Sequence, residues 1–132
     1  MISKKAIWLG RLITVLVSLA LMASASMKLH GVAESKEQIL KLGFPESLIV
    51  PLGILETSCA LIYLIPQTAV LGAILLTGYM GGAICTHLRV GEHFYIQAGL
   101  GVLAWLGIYL RDERLRTLLP MRRPRPRGLS GI

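Results

Sequence analysis

"LLTGYMGGAICTHLRVGEHF", residues 75–94, begins as an apolar run and ends with Thr86, His87, Arg89 and Glu92 close together. Three glycines, Gly78, Gly81 and Gly82, stand in its middle. A backbone crossing hydrocarbon must satisfy its own hydrogen bonds, so a run of this kind is expected to be a helix. At about 100° per residue, Tyr79, Gly82, Ala83, Thr86 and Arg89 share one face, and the large aliphatic side chains take the other. Gly78-x-x-x-Gly82 is a spacing that lets membrane helices approach closely. The glycines are therefore expected to pack against a neighbouring helix, with no ligand needed to explain them.

The same pattern recurs along the chain. Apolar segments cover residues 6–27, 47–65, 68–88 and 94–110, each 17–22 residues long. That is the length needed to cross a hydrocarbon core of about 30 Å. The composition agrees: 54% of the 132 residues are hydrophobic but only 6% are aromatic. Such a Leu, Ile, Val, Ala and Gly content belongs to closely packed membrane helices and excludes an ordinary soluble domain. The expected fold is all-α: an integral membrane four-helix bundle over residues 1–110, followed by a basic tail, 111–132. Lys4 and Lys5 before an apolar run, with "ASA" at 23–25, also resemble a cleaved signal peptide. Arg11 interrupts that run, and the following stretch makes sense as a loop between two helices, so the first segment is read as retained.

Charge orients the bundle. The net charge is +7, and ten of the 14 basic residues (Lys4, Lys5, Arg11 and seven arginines in the last 22 residues) fall on the side of the two termini. The positive-inside rule puts both termini in the cytoplasm. The arginine-rich tail is expected to lie against anionic lipid rather than to bind nucleic acid. In the first outer loop, "SKEQILKLGFP" combines Ser35 and Gln38 at capping-box spacing, a Glu37–Lys41 pair and Gly43 as a stop. A short interfacial helix starting at Ser35 is expected there.

Several polar residues need a role. Glu56 falls near the middle of the second segment, where a carboxylate is costly and defaults to a functional or a helix-tying role. Gly53, Cys59, Ala60 and Tyr63 share its face; in the first segment Arg11, Thr14, Ser18, Ala25 and Lys28 share one, and in the fourth Gln97, Gly101, Ala104 and Gly107. Lys28, His87 and Arg89 at the outer helix ends would form a basic vestibule above Glu56, able to attract an anion or a quinone carbonyl. Tyr79 and Thr86 add hydrogen-bonding groups. The candidate ligand-binding residues are therefore Lys28, Glu56, Tyr79, Thr86, His87 and Arg89, with no catalytic residue and no metal site. Cys59 and Cys85 lie in apolar segments without C-x-x-C spacing and read as small buried hydrophobes. No phosphate-binding loop, nucleotide fingerprint or triad-like set occurs.

"SASMKLHG" (24–31), "LGFPESLIVPLGILE" (42–56) and "LTGYMGGAICTHLRVGE" (76–92) together resemble the DoxX and DoxX-like family of small bacterial membrane proteins. The resemblance runs over residues 7–110 and implies a four-helix membrane fold in the bacterial inner membrane, with Lys28, Glu56, Thr86 and His87 at the family's polar positions. It further implies a membrane subunit that anchors or serves a redox assembly, with a soluble or peripheral redox enzyme as partner and a quinone as candidate cofactor. Two other roles fit the same residues: a small proton-coupled transporter using Glu56, and a purely structural membrane protein. Gly72 and Gly99 allow packing within the chain or in a homo-oligomer.

Overall fold

The computed structural model describes residues 2–122. Arg123, Arg125 and Arg127 of the basic tail lie outside the described residues. Among those described, the structure is all-α: α1 Lys4–Leu29, α2 Ala33–Lys41, α3 Ile49–Leu64, α4 Ala69–Arg89, α5 Tyr95–Arg111 and α6 Glu113–Leu118. Single 3₁₀ turns, Glu46–Leu48 and Pro66–Thr68, lead into α3 and α4.

Three stretches are long and apolar enough to cross a membrane: Lys4–Leu29, Glu46–Leu64 and Pro66–Arg89. α5 has 17 residues, about 26 Å at 1.5 Å per residue. α1 packs against α3 and α5, and α4 closes the ring by packing against the same two. The outward faces carry Leu12, Leu16, Leu19, Ile54, Leu55, Leu71, Ile74 and Val102, all exposed. On a water-soluble protein that much open aliphatic surface would drive aggregation; facing lipid tails, it costs nothing.

The base of the bundle holds the start of α1, the α3–α4 hairpin and the end of α5. Small residues bring its backbones together. A Cβ on Gly10 would stand 2.6 Å from the Gly107 carbonyl oxygen, and one on Gly72 would run into the Tyr63 backbone. Ala60, Ala73 and Ala104 are essentially sealed from outside. Tyr63 plugs the centre, donating its hydroxyl to the Ala104 carbonyl at 2.6 Å. The hydroxyl of Thr14, itself donating to the Gly10 carbonyl at 2.9 Å, lies beside it at 3.4 Å.

The opposite end, the roof, is built differently. α1 stops at Gly31, whose φ of +68° suits a residue without a side chain. The Val32 N–H then reaches back to the Met27 carbonyl at 3.0 Å, a Schellman closure. This turn delivers the chain straight into α2, whose N-cap is Val32 with no side-chain cap. The capping box expected at Ser35 and Gln38 is therefore absent: Ser35 is already inside the helix, because the preceding turn fixes the start. α2 lies over the roof, tied by Lys41 Nζ to Glu92 Oε1 at 2.8 Å, Gln38 Nε2 to Glu92 Oε2 at 2.8 Å and Lys36 Nζ to Glu46 Oε1 at 2.6 Å.

Candidate functional site

Beneath α2 the four long helices part around a cavity of about 680 Å³. Its walls come from α1 (Leu21, Lys28), α3 (Leu52, Glu56), α4 (Gly78, Tyr79, Gly82, Thr86, His87) and α5 (Gln97, Leu100), with Ile39 and Leu42 above.

Gly78, Gly81 and Gly82 correct the sequence-based expectation. Apart from chain neighbours and the helix's own backbone, no atom stands within 4 Å of where a Cβ would be at any of the three. They pack against nothing in this chain; Gly78 and Gly82 are wall, and the absent side chains are cavity space. The packing glycines are Gly10, Gly53, Gly72 and Gly107 instead.

The polar corner is centred on Glu56, 3% exposed. Its Oε2 accepts from Lys28 Nζ at 2.7 Å and from the Tyr79 hydroxyl at 3.1 Å. Three helices thus meet at one oxygen. Lys28 sits on the inner face of α1, where its flexible stem reaches α3, and its ammonium also donates to Ser24 Oγ at 2.8 Å, one turn back. An ammonium has three donors, so one N–H remains for a ligand. Both bonds to Glu56 fall on Oε2, so Oε1 keeps its lone pairs. A buried ion pair is held mainly by what would follow from breaking it: removing one partner strands the other charge, at about 3–5 kcal/mol.

A second polar pair faces the cavity from α4 and α5. His87 Nδ1 lies 2.7 Å from the Ala83 carbonyl oxygen. A carbonyl only accepts, so in the neutral ring this nitrogen carries the proton and Nε2 is left as an acceptor. Gln97 Nε2 donates to it at 3.3 Å. That leaves Gln97 Oε1, buried and without a hydrogen-bond partner among the described residues. A buried carbonyl of this kind is expensive to leave unmade, and its side chain lines the cavity.

Of the six residues singled out in the sequence, Lys28, Glu56, Tyr79, Thr86 and His87 line this one cavity; Arg89 does not. Thr86 returns its hydroxyl to the Gly82 carbonyl at 2.7 Å and presents little else. Arg89 donates to the Leu42 carbonyl at 2.6 Å, with its guanidinium against Gly43. It clamps the turn after α2, so the basic vestibule expected above Glu56 is replaced by a closed Lys28–Glu56 pair and a roof clamp. Ser24 and Gln97 were missed as site residues. Ser24 had a signal, standing four residues before Lys28 on the same face; Gln97 stood on the small face of its segment, but its partner is on another helix. Cys59 is buried as expected, whereas Cys85 is exposed. Among the described residues, no group of three or more His, Cys, Asp or Glu side chains could hold a metal ion.

The architecture is that of a membrane-spanning helical protein with an amphipathic cavity between its helices. The model of the DoxX-like family matches residues 12–108, and the chain belongs to that family. The matched segment contains every residue of the polar corner. Comparisons with curated proteins and with solved structures find no match.

Proposed function

We propose that this chain is a membrane-embedded subunit that serves a redox assembly by holding a quinone headgroup in the cavity beneath α2. α5 would complete a fourth crossing, with its outward Val102, Leu103 and Leu106 in lipid. The arginine asymmetry favours an inner-membrane protein with both termini in the cytoplasm.

The observation that carries the reading is the cavity's chemistry: a mostly aliphatic chamber of about 680 Å³ with unused hydrogen-bonding capacity in its polar wall. A site of this size with a few convergent polar groups is the usual form of a small-molecule pocket. The residues fit the ligand class. The third N–H of Lys28 can donate to one ring carbonyl, and the Leu and Ile walls can take an isoprenoid chain. Glu56 Oε1 can take a proton from the headgroup as a quinol is oxidised and return it as the quinone is reduced, and Gln97 Oε1 can accept from a ring hydroxyl. A bound quinone would supply the two-electron, two-proton couple; the chain's own groups bind, orient and hold a proton. In this reading the electrons come from a partner enzyme.

The test is quinone binding to full-length protein in lipid nanodiscs, read with a short-chain ubiquinone or menaquinone analogue by native mass spectrometry. Wild type should retain one quinone per chain. Glu56→Gln and Gly78→Phe should each lose it while inserting normally, the first by changing the corner and the second by filling the chamber. Wild-type protein that retains no quinone, or a Glu56→Gln variant that retains it fully, would overturn the reading.

A further inference from the structure

The base of the bundle, on the far side of Tyr63 from the cavity, carries a second recess of about 200 Å³. Arg11 of α1, Pro66 of the α3–α4 hairpin, Ala69 and Val70 of α4, and Arg111 and Asp112 at the end of α5 line it. The close approach of α1 and α5 brings the two arginines to one place: a Cβ on Gly10 would stand 3.3 Å from Arg111 Cβ. Both arginines lie just outside the 12–108 segment matched by the family.

Three observations give this recess a net positive charge, two guanidiniums against the one carboxylate of Asp112. Arg111 Nε and Nη2 are buried and have no hydrogen-bond partner among the described residues. These two nitrogens form one edge of the guanidinium, the parallel pair of donors that meets a carboxylate or phosphate side-on. Asp112, at the rim of the recess, forms no ion pair with either arginine among the described residues; its Oδ1 accepts the Arg114 backbone N–H at 2.9 Å and caps α6. Arg11 makes no ion pair among the described residues and lies over the Trp8 ring at 5.4 Å. Finally, the 21-residue α4 begins here with no side-chain cap, because Thr68 spends its hydroxyl on the Ile62 carbonyl at 2.8 Å. The Pro66 carbonyl takes the Ala69 N–H through the preceding turn, and the start of α4 adds the positive end of a helix dipole.

We infer that this recess is a binding site for a phosphate group, gripped side-on by Arg111 and flanked by Arg11 and the start of α4. An unpaired guanidinium edge between helices is costly. Rotation about the outer torsions of Arg111 turns that edge into the recess, where two phosphate oxygens satisfy it together. The exposed apolar side chains of Val70 and Leu71 continue from the recess along α4. That suits an acylated phosphate, an anionic phospholipid whose chains lie on α4; inorganic phosphate offers the same oxygens without the chains.

The experiment uses the full chain in phosphatidylcholine nanodiscs doped with phosphatidylglycerol, with retained lipid counted by native mass spectrometry. Wild type should retain one phosphatidylglycerol per chain. Arg111→Lys, which keeps the charge but loses the fork, and Arg11→Gln, at an exposed position, should each weaken retention about tenfold, the scale of one charge-assisted hydrogen bond. Replacing Arg122, Arg123, Arg125 and Arg127 together by Gln should leave the retained lipid in place. Inorganic phosphate is added in a second arm. Competition at millimolar phosphate supports the site with free phosphate as its source, and no competition supports the lipid. Equal retention by wild type and both single variants, or loss in the tail variant alone, would overturn the assignment.

Discussion

Lys28 Nζ of α1 lies 2.7 Å from Glu56 Oε2 of α3, with side chains only 10% and 3% exposed. The two residues are 28 positions apart, and this contact joins the first two long helices at the level where the bundle begins to open. Lys28→Met should destabilise the protein by about 3 kcal/mol, because it strands the Glu56 carboxylate in an apolar wall. Lys28→Met combined with Glu56→Leu should recover most of that loss. Thermal unfolding in detergent, run as a double-mutant cycle, measures the coupling; simple additivity of the two changes would contradict it.

Glycines at the base and in the cavity wall should respond oppositely to alanine. Gly72→Ala drives a methyl into the Tyr63 backbone and should cost about 1–3 kcal/mol, the usual cost of overpacking. Gly82→Ala meets open space and should be neutral or stabilising by up to about 1 kcal/mol, since glycine is that much poorer in a helix. Unfolding midpoints of the two variants, side by side, decide the matter.

Glu92 sets a pH dependence for the roof. The hydrogen bond from Lys41, then that from Gln38, holds its carboxyl below the ordinary glutamate range. A carboxyl whose folded value is depressed adds stability above its unfolded value, about 4.3, and loses it as pH falls through the lower folded value. The attachment of α2 should be unchanged from neutral pH down to about 5 and loosen below about 4. A fluorophore on α2 at Glu37 would report the change, and Glu92→Gln should flatten the profile.

Tyr63→Phe removes the hydroxyl that reaches the Ala104 carbonyl at 2.6 Å. The buried carbonyl then lacks that donor, and stability should fall by about 1 kcal/mol or slightly more. Quinone retention at the roof end should be unaffected, because Tyr63 is not among the cavity's lining residues. Binding and unfolding measured on one preparation separate the two effects.

Much of the fold is readable because lipid makes helix faces one-sided. In α3 the small and polar face, Gly53, Glu56, Cys59, Ala60 and Tyr63, is the buried face of the structure. Periodicity reports which residues turn inward. It does not report whether anything meets them there. Gly53 and Gly82 look alike in sequence, yet one touches Leu29 and Lys28 and the other borders the cavity. The same limit applies to Arg89: its helix position was plain, but its partner is a carbonyl on a turn 47 residues away. Arg11 was grouped with the inner face of α1 and is exposed, since Gly10, its neighbour, occupies the contact with α5. Ser35 fits a cap by local rules, but the reversal at Gly31 acts first.

The sealed base makes the bundle an insulator. Below Glu56, Thr14 and Tyr63 donate their hydrogens to backbone carbonyls, Ser18 Oγ is buried without a hydrogen-bond partner among the described residues, and Ala60, Ala73, Leu76 and Ala104 pack around them. Among the described buried residues, no carboxylate, lysine or histidine lies beyond Glu56 towards the base. On the proposed reading, a proton taken up at Glu56 would leave by the side from which it came, and chemistry in the upper chamber would run without short-circuiting the membrane voltage.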